Sequence, residues 1–174
     1  MKYYVRKIAL NKFPKPPETS YEISSIRADA VSDLKTTSDK LSIWEIESTS
    51  EASINKAVLA LVTSSKQQRF DDLDIVVFSE DDIATKGLSV ESEEGDTAIA
   101  ELRNTHRNIT SLTYESLASV LTIISDITIT GCHIRKRRQE IETLIRDNSK
   151  KIDVESFIND DIKTKIRKLA GISV

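Results

Sequence analysis

Between residues 41 and 78 the apolar spacing switches from alternation to helical spacing and then to a continuous run, an order few folds accommodate. Leu41-Ser42-Ile43-Trp44-Glu45-Ile46 reads as a strand, with Leu41 and Ile43 on one face and Trp44 and Ile46 on the other. Ile54, Ala57, Val58, Leu61 and Val62 then recur at helical spacing, predicting a helix over 51–65. Ser48 and Glu51 have the spacing of a capping box at its start. Leu73-Asp74-Ile75-Val76-Val77-Phe78 is almost continuously apolar, as expected of a strand covered on both faces. Together, strands 41–47 and 73–78 and the helix between them predict a βαβ unit with parallel strands. An antiparallel return would put the same pieces in an α+β sheet.

A further strand is predicted near residues 3–10, ended by Pro14, Pro16 and Pro17, the only prolines of the chain. Tyr21 to Arg27 reads as a short strand, Ala28 to Lys35 as one or two helical turns, and Leu88 to Glu91 as an edge strand. From Asp96, which is placed to cap a helix, the period is helical, with Ile99, Leu102, His106 and Ile109 on one face. After a break near Thr110–Thr113, Leu117, Val120, Leu121 and Ile124 continue the helical pattern. Ile127 to Thr130 is strand-like in its β-branching, although a helix can run through it. Helices are predicted over Cys132 to Asp147 and from Asp153 to a stop at Gly171. The expected class is α/β or α+β: a small mixed sheet (strands near 3–10, 41–47 and 73–78), a helix at 51–65 and a helical C-terminal half. One domain is expected over 1–174, with a sheet-containing part at 1–95 and a mainly helical part at 96–174.

The residue inventory removes several chemistries. Two histidines, one cysteine and four dispersed glycines leave no glycine-lined phosphate loop, no internal disulfide and no zinc knuckle. Aromatic residues are only 5%, so the core rests on Ile, Leu, Val and Ala. No apolar run reaches the roughly 20 residues of a membrane helix, and a cytoplasmic location is expected. Neither a metal nor a cofactor is expected.

Charge is unevenly distributed behind a net value of -3. Residues 1–20 carry five Lys/Arg against one Glu, and residues 131–174 carry eleven against seven acids. Residues 71–96 hold one Lys and ten acids: Asp71, Asp72, Asp74, Glu80, Asp81, Asp82, Glu91, Glu93, Glu94 and Asp96. A like-charge block of this density repels itself and stays exposed, where it attracts a basic partner.

Three shorter patterns carry chemistry. The stretch from Ser64 to Phe78 resembles a minimal nucleotidyltransferase, in which an Asp-x-Asp on a strand holds magnesium against a triphosphate. Asp72 and Asp74 match that spacing, whereas Ser64-Ser65 lacks the glycine of the family's Gly-Ser turn. Arg103 and His106 resemble the paired Arg and His of HEPN ribonucleases, at a spacing of three instead of four to six. The run Arg135-Lys136-Arg137-Arg138 suits phosphate contact, although Glu140, Glu142 and Asp147 follow within helical reach.

The charge segregation spans more residues than any catalytic pattern. The expected function is therefore a non-enzymatic cytoplasmic binding protein that presents the acidic block to a basic protein such as a nuclease or toxin. Immunity proteins and antitoxins are of this type. The alternatives are a magnesium-dependent nucleotidyltransferase-like enzyme using Asp72 and Asp74, and a nucleic-acid-binding module using Arg135, Lys136, Arg137 and Arg138.

Overall fold

The computed structural model describes residues 1–18, 20–34 and 36–171. Among them, six strands form one sheet: β1 (Tyr3–Ile8), β2 (Leu41–Ile46), β3 (Leu73–Ser79), β4 (Ser89–Ser92), β5 (His106–Thr110) and β6 (Ile134–Lys136). The helices are α1 (Ala28–Asp33), α2 (Glu51–Val62), α3 (Glu80–Thr85), α4 (Ala100–Arg103), α5 (Tyr114–Ile129), α6 (Arg138–Asp147) and α7 (Asp160–Leu169). Strand order is β4-β5-β2-β1-β3-β6. The architecture is the α+β alternative, and every neighbouring pair is antiparallel, so the sheet is not mixed.

β2 and β3 do run parallel, as the βαβ pattern predicts, but they are not neighbours. β1 lies between them, antiparallel to both, with Tyr3–Ile8 opposite Ser79–Asp74 on one side and Tyr3–Val5 opposite Ile46–Trp44 on the other. An α2 crossover spans two strand spacings as readily as one, and the local pattern does not say which strand fills the gap.

Helices cover both faces. Val5, Trp44, Ile46, Leu73 and Ile75 enter a core completed by α2, α4, α6 and α7. Tyr4, Ile8, Leu41, Ile43, Val76 and Phe78 enter a second core completed by α1, α3 and α5. The continuous apolar run of β3 follows from this double coverage, which a central antiparallel strand needs as much as a parallel one. Arg6 of β1 fastens the second layer: its Nη1 donates to the Ser42 carbonyl at 2.8 Å and its Nη2 to the Asp33 carbonyl at 2.9 Å.

Several boundaries differ from the sequence expectation. The first strand ends at Ile8, β2 at Ile46 and α2 at Val62. Ser50, not Ser48, caps α2, its hydroxyl accepting from the Ser53 amide, because Glu51 turns toward Lys136 instead of back to the cap. Tyr21 to Arg27 forms a 3₁₀ turn (Ile23–Ser25), and Lys35 lies outside the described residues. Ile127 to Thr130 belongs to the end of α5, whose last residue is Ile129. Asp153 caps only a 3₁₀ turn (Val154–Ser156), and α7 starts beyond it with Asn159 as its cap.

The largest corrections are two strands within predicted helices. The helix expected from Asp96 stops at Arg103, and His106 and Ile109 lie on β5, where β4 and β2 pair with either edge. Ile134–Lys136 forms the edge strand β6 before α6 begins. Both are short and polar, so cross-strand partners distant in sequence outweigh local propensity.

Gly95 marks the tightest point of this rearrangement. A Cβ there would meet His106 Cβ and Trp44 Cη2 at 2.6 Å each, while the Trp44 and His106 rings pack edge to face with centroids 5.0 Å apart. Gly95→Ala is expected to destabilise the protein by about 1–3 kcal/mol, the usual range for overpacking. The urea-denaturation midpoint measures this, and an unchanged midpoint would show that the Trp44–His106 pair yields freely.

Candidate functional site

The start of β3 is where the two charged sets of the sequence meet. Register sets Asp74 opposite Arg135 and Leu73 opposite Lys136. Residues two apart share a face, so Asp72 and Asp74 both come within reach of Arg135. Arg135 Nη2 donates to Asp72 Oδ2 at 2.8 Å, and its Nη1 lies 3.8 Å from Asp74 Oδ1. Asp72 Oδ1 also accepts from the Arg138 amide at 2.9 Å, satisfying an orphan donor at the start of α6. The Arg135 hydrogen bond, seconded by the Arg138 amide, holds the Asp72 carboxyl below the usual carboxylate range. The same bond raises the Arg135 guanidinium.

One positive charge thus faces two carboxylates, hydrogen-bonded to Asp72 and near Asp74, whose Oδ1 has no hydrogen-bond partner. A guanidinium occupies the side of Asp72 and Asp74 that a divalent cation would need. Ser64 and Ser65 face elsewhere: both hydroxyls donate to Asp96 Oδ2, at 2.8 and 2.9 Å, and the Ser65 amide donates to Oδ1 at 3.0 Å. Burial pushes the Asp96 carboxyl up, but these hydrogen bonds outweigh it and hold the carboxyl below its ordinary value. Asp96 therefore ties the end of α2 to the segment leading into α4 and caps no helix. Among the described residues, no group of three His, Cys, Asp or Glu side chains converges on one point.

The ten acids of the block separate into three groups. Asp71, Asp72 and Asp74 lie at the start of β3, with Asp71 paired to Arg69. Glu80, Asp81 and Asp82 form the first turn of α3 at the other end of that strand, about 25 Å away at the usual rise. Asp82 accepts from the Ser79 amide at 2.7 Å in a capping box. Glu91, Glu93, Glu94 and Asp96 lie on or just after the edge strand β4, four strands from β3. Glu93 accepts from Lys40 at 2.9 Å and from Asn108 at 2.6 Å, and the Lys40 bond pulls its carboxyl down. Glu94 is 3.9 Å from Arg103. Glu80, Asp81 and Glu91 form no ion pair among the described residues.

Between α3 and β4 lies a groove of about 470 Å³, which sequence reasoning missed. Tyr4 and Arg107 contribute to it from the sheet, Ile83, Leu88 and Val90 supply apolar lining, and Glu80 also lines it. Glu45 Oε2 accepts from Lys2 at 3.2 Å and from Arg107 at 2.9 Å in the same groove. Burial, then the charges of Glu80 and Glu45, push the Tyr4 phenol up. The apolar Ile83 and Leu88 within an acidic stretch were the available signal, but their placement against β1 is a tertiary fact.

The basic run is largely paired within the fold. Lys136 is 7% exposed and lies 3.4 Å from Glu51 and 3.9 Å from Glu140. Arg138 donates to Glu142 at 2.9 Å, leaving Arg137 as the member of the run without an ion pair among the described residues. Arg103 and His106 do not share a helix as the ribonuclease resemblance requires. His106 is buried on β5 with its Nδ1 3.1 Å from the Glu93 carbonyl, and desolvation lowers its pKa despite that bond.

No family model matches the chain, and no curated protein or solved structure is significantly similar to it. Among the described residues, no helix is long and apolar enough to cross a membrane.

Two of the shifted groups, Asp72 and His106, give pH signatures. Asp72 has a lowered native pKa, so its contribution is complete above the unfolded value and lost as pH falls through the native one. Asp72→Asn is expected to lower stability at neutral pH, and the gap from wild type should be narrower at a pH below the unfolded carboxylate value of about 3.9. Urea titrations at the two pH values measure it; an equal gap at both would remove the ion pair from the explanation. For His106, the lowered native pKa means stability is complete above about 6.5 and declines as pH falls through the native value. An NMR titration of the imidazole should give a midpoint below that of a free histidine.

Proposed function

We propose that this chain is a non-enzymatic binding protein that presents an acidic surface to a basic protein partner, as immunity proteins and antitoxins do, in the cytoplasm. The observation that supports this reading is the absence of internal compensation for Glu80, Asp81 and Glu91. These three carboxylates make no ion pair among the described residues, whereas Asp72, Asp74, Glu93 and Glu94 face cations of the same chain. The partner-facing surface is accordingly narrower than the ten-residue block. It comprises the first turn of α3, the edge strand β4 and the groove between them.

Uncompensated surface charge accelerates encounter and favours a partner of opposite sign. The apolar side chains Ile83, Leu88 and Val90 in the groove then give a basic partner area to bury beyond charge alone. A nuclease or toxin with a cationic active-site face has the matching chemistry. The enzyme alternative is less well supported, because Asp72 and Asp74 spend their charge on Arg135.

The triple reversal Glu80→Lys, Asp81→Lys and Glu91→Lys is expected to weaken binding to a small basic nuclease by about tenfold or more at low salt. The difference should shrink as ionic strength rises and the Debye length falls to about 8 Å. Reversal of Asp161, exposed on α7 over the other face of the sheet, serves as the control. Surface plasmon resonance across a salt series measures both. Equal affinity of the triple variant and wild type at low salt would end the electrostatic reading.

A further inference from the structure

The end of the central strands opposite the first turn of α3 carries a second surface of opposite sign. After β1 the chain makes a 3₁₀ turn (Leu10–Lys12), passes through the three prolines and returns through the Ile23–Ser25 turn to α1. This loop encloses a hollow of about 540 Å³ lined by Lys12, Lys15, Arg27, Tyr21, Ser25 and, as its one acid, Glu18. Lys12, Lys15 and Arg27 form no ion pair among the described residues, in contrast to the run 135–138.

The hollow is held from outside. Tyr21 Oη lies 2.8 Å from Asp126 Oδ1 and 3.0 Å from the Thr122 carbonyl, which anchors that wall to α5. Lys12 Nζ donates to Ser32 Oγ at 3.0 Å, which anchors the opposite side to α1. Phe13, also in the lining, is 4% exposed and rooted in the core shared by α1 and α5. The loop is thus attached to two helices, and the charged ends of Lys15 and Arg27 make no hydrogen bond or ion pair among the described residues, while that of Lys12 holds Ser32.

We propose that this hollow binds a phosphate-bearing ligand. Three cations against one carboxylate leave the charge that a phosphate dianion balances. The arginine supplies a fork of donors matched to phosphate oxygens, and the lysines supply compact charges. Tyr21, Ser25 and Asn11 add polar groups along the same lining. The volume falls in the range of sites for nucleotide-sized molecules and exceeds what a bare anion needs. The phosphate comes either from a free nucleotide or from the backbone of single-stranded nucleic acid, and the two sources share this chemistry. The site stands apart from the acidic α3–β4 surface and does not depend on it.

The test measures binding of ADP, inorganic pyrophosphate and a short labelled single-stranded RNA to the full chain at low salt. Wild type is expected to bind at least one of them, and Lys15→Glu with Arg27→Glu to weaken it by about tenfold or more. Both side chains are exposed, so circular dichroism and the urea midpoint should be unchanged. Lys86→Glu, on the far side of α3, should bind like wild type. ADP binding identifies the free nucleotide as the source. RNA binding alone, with a salt slope of about 0.7 per phosphate contacted, identifies the backbone. Failure of all three probes to bind, or binding lost on Arg137→Glu but kept in the double variant, overturns the proposal.

Discussion

β1 sits between β2 and β3, and the other placements follow from its pairing on both edges. Its alternate side chains feed two cores: Val5 enters the one beneath α2, α6 and α7, and Tyr4 and Ile8 the one beneath α1, α3 and α5. The strand pairs with β3 along its whole length and with β2 over Tyr3–Val5, and its buried residues alternate between the two cores, which favours one register over slips. β2 and β3 are then held parallel at a distance of two strands, and α2 fits across the gap. The outer strands β4, β5 and β6 extend an arrangement already defined.

That arrangement determines what each charged segment does. β3 begins beside β6, so Asp72 and Asp74 meet Arg135 and part of the negative charge at the start of β3 is offset. β3 ends where α3 starts, and the carboxylates there meet a helix N-terminus instead of a cation, a favourable environment for negative charge without a salt bridge. The net -3 of the chain thus conceals an acidic surface around α3 and β4 and a cationic hollow under the proline loop. The first turn of α3 and the hollow lie at opposite ends of β1 and β3, whereas β4 is level with Leu41–Ile43 of β2, toward the hollow's end.

The parts legible in the sequence were those whose pattern repeats within one element. Leu41, Ile43, Trp44 and Ile46 lie on the faces that their alternation predicts, and Ile54, Ala57 and Val58 face the core from α2 as their spacing requires. His106 and Ile109 also had helical spacing, yet they belong to a strand. Five residues are too few to separate the two periods, and Asn108 and Thr110 are stabilised in β5 by neighbours on β4 and β2. Likewise Ile134 fits a helical face as well as an edge strand, and only its pairing with Ile75 decides.

The sequence alone determined that helices and strands are both present, the two-sided burial of β3, the absence of a glycine-lined phosphate loop and the amount of charge in each segment. These depend on neighbours within a few residues. Only the tertiary structure decided that β1 separates β2 from β3, that Arg135 pairs with Asp72 and Asp74, and that Glu80, Asp81 and Glu91 make no ion pair among the described residues. Strand order and cross-strand pairing bring together residues tens of positions apart. A carboxylate's chemistry depends on the cation beside it in space, which its neighbours along the chain do not reveal.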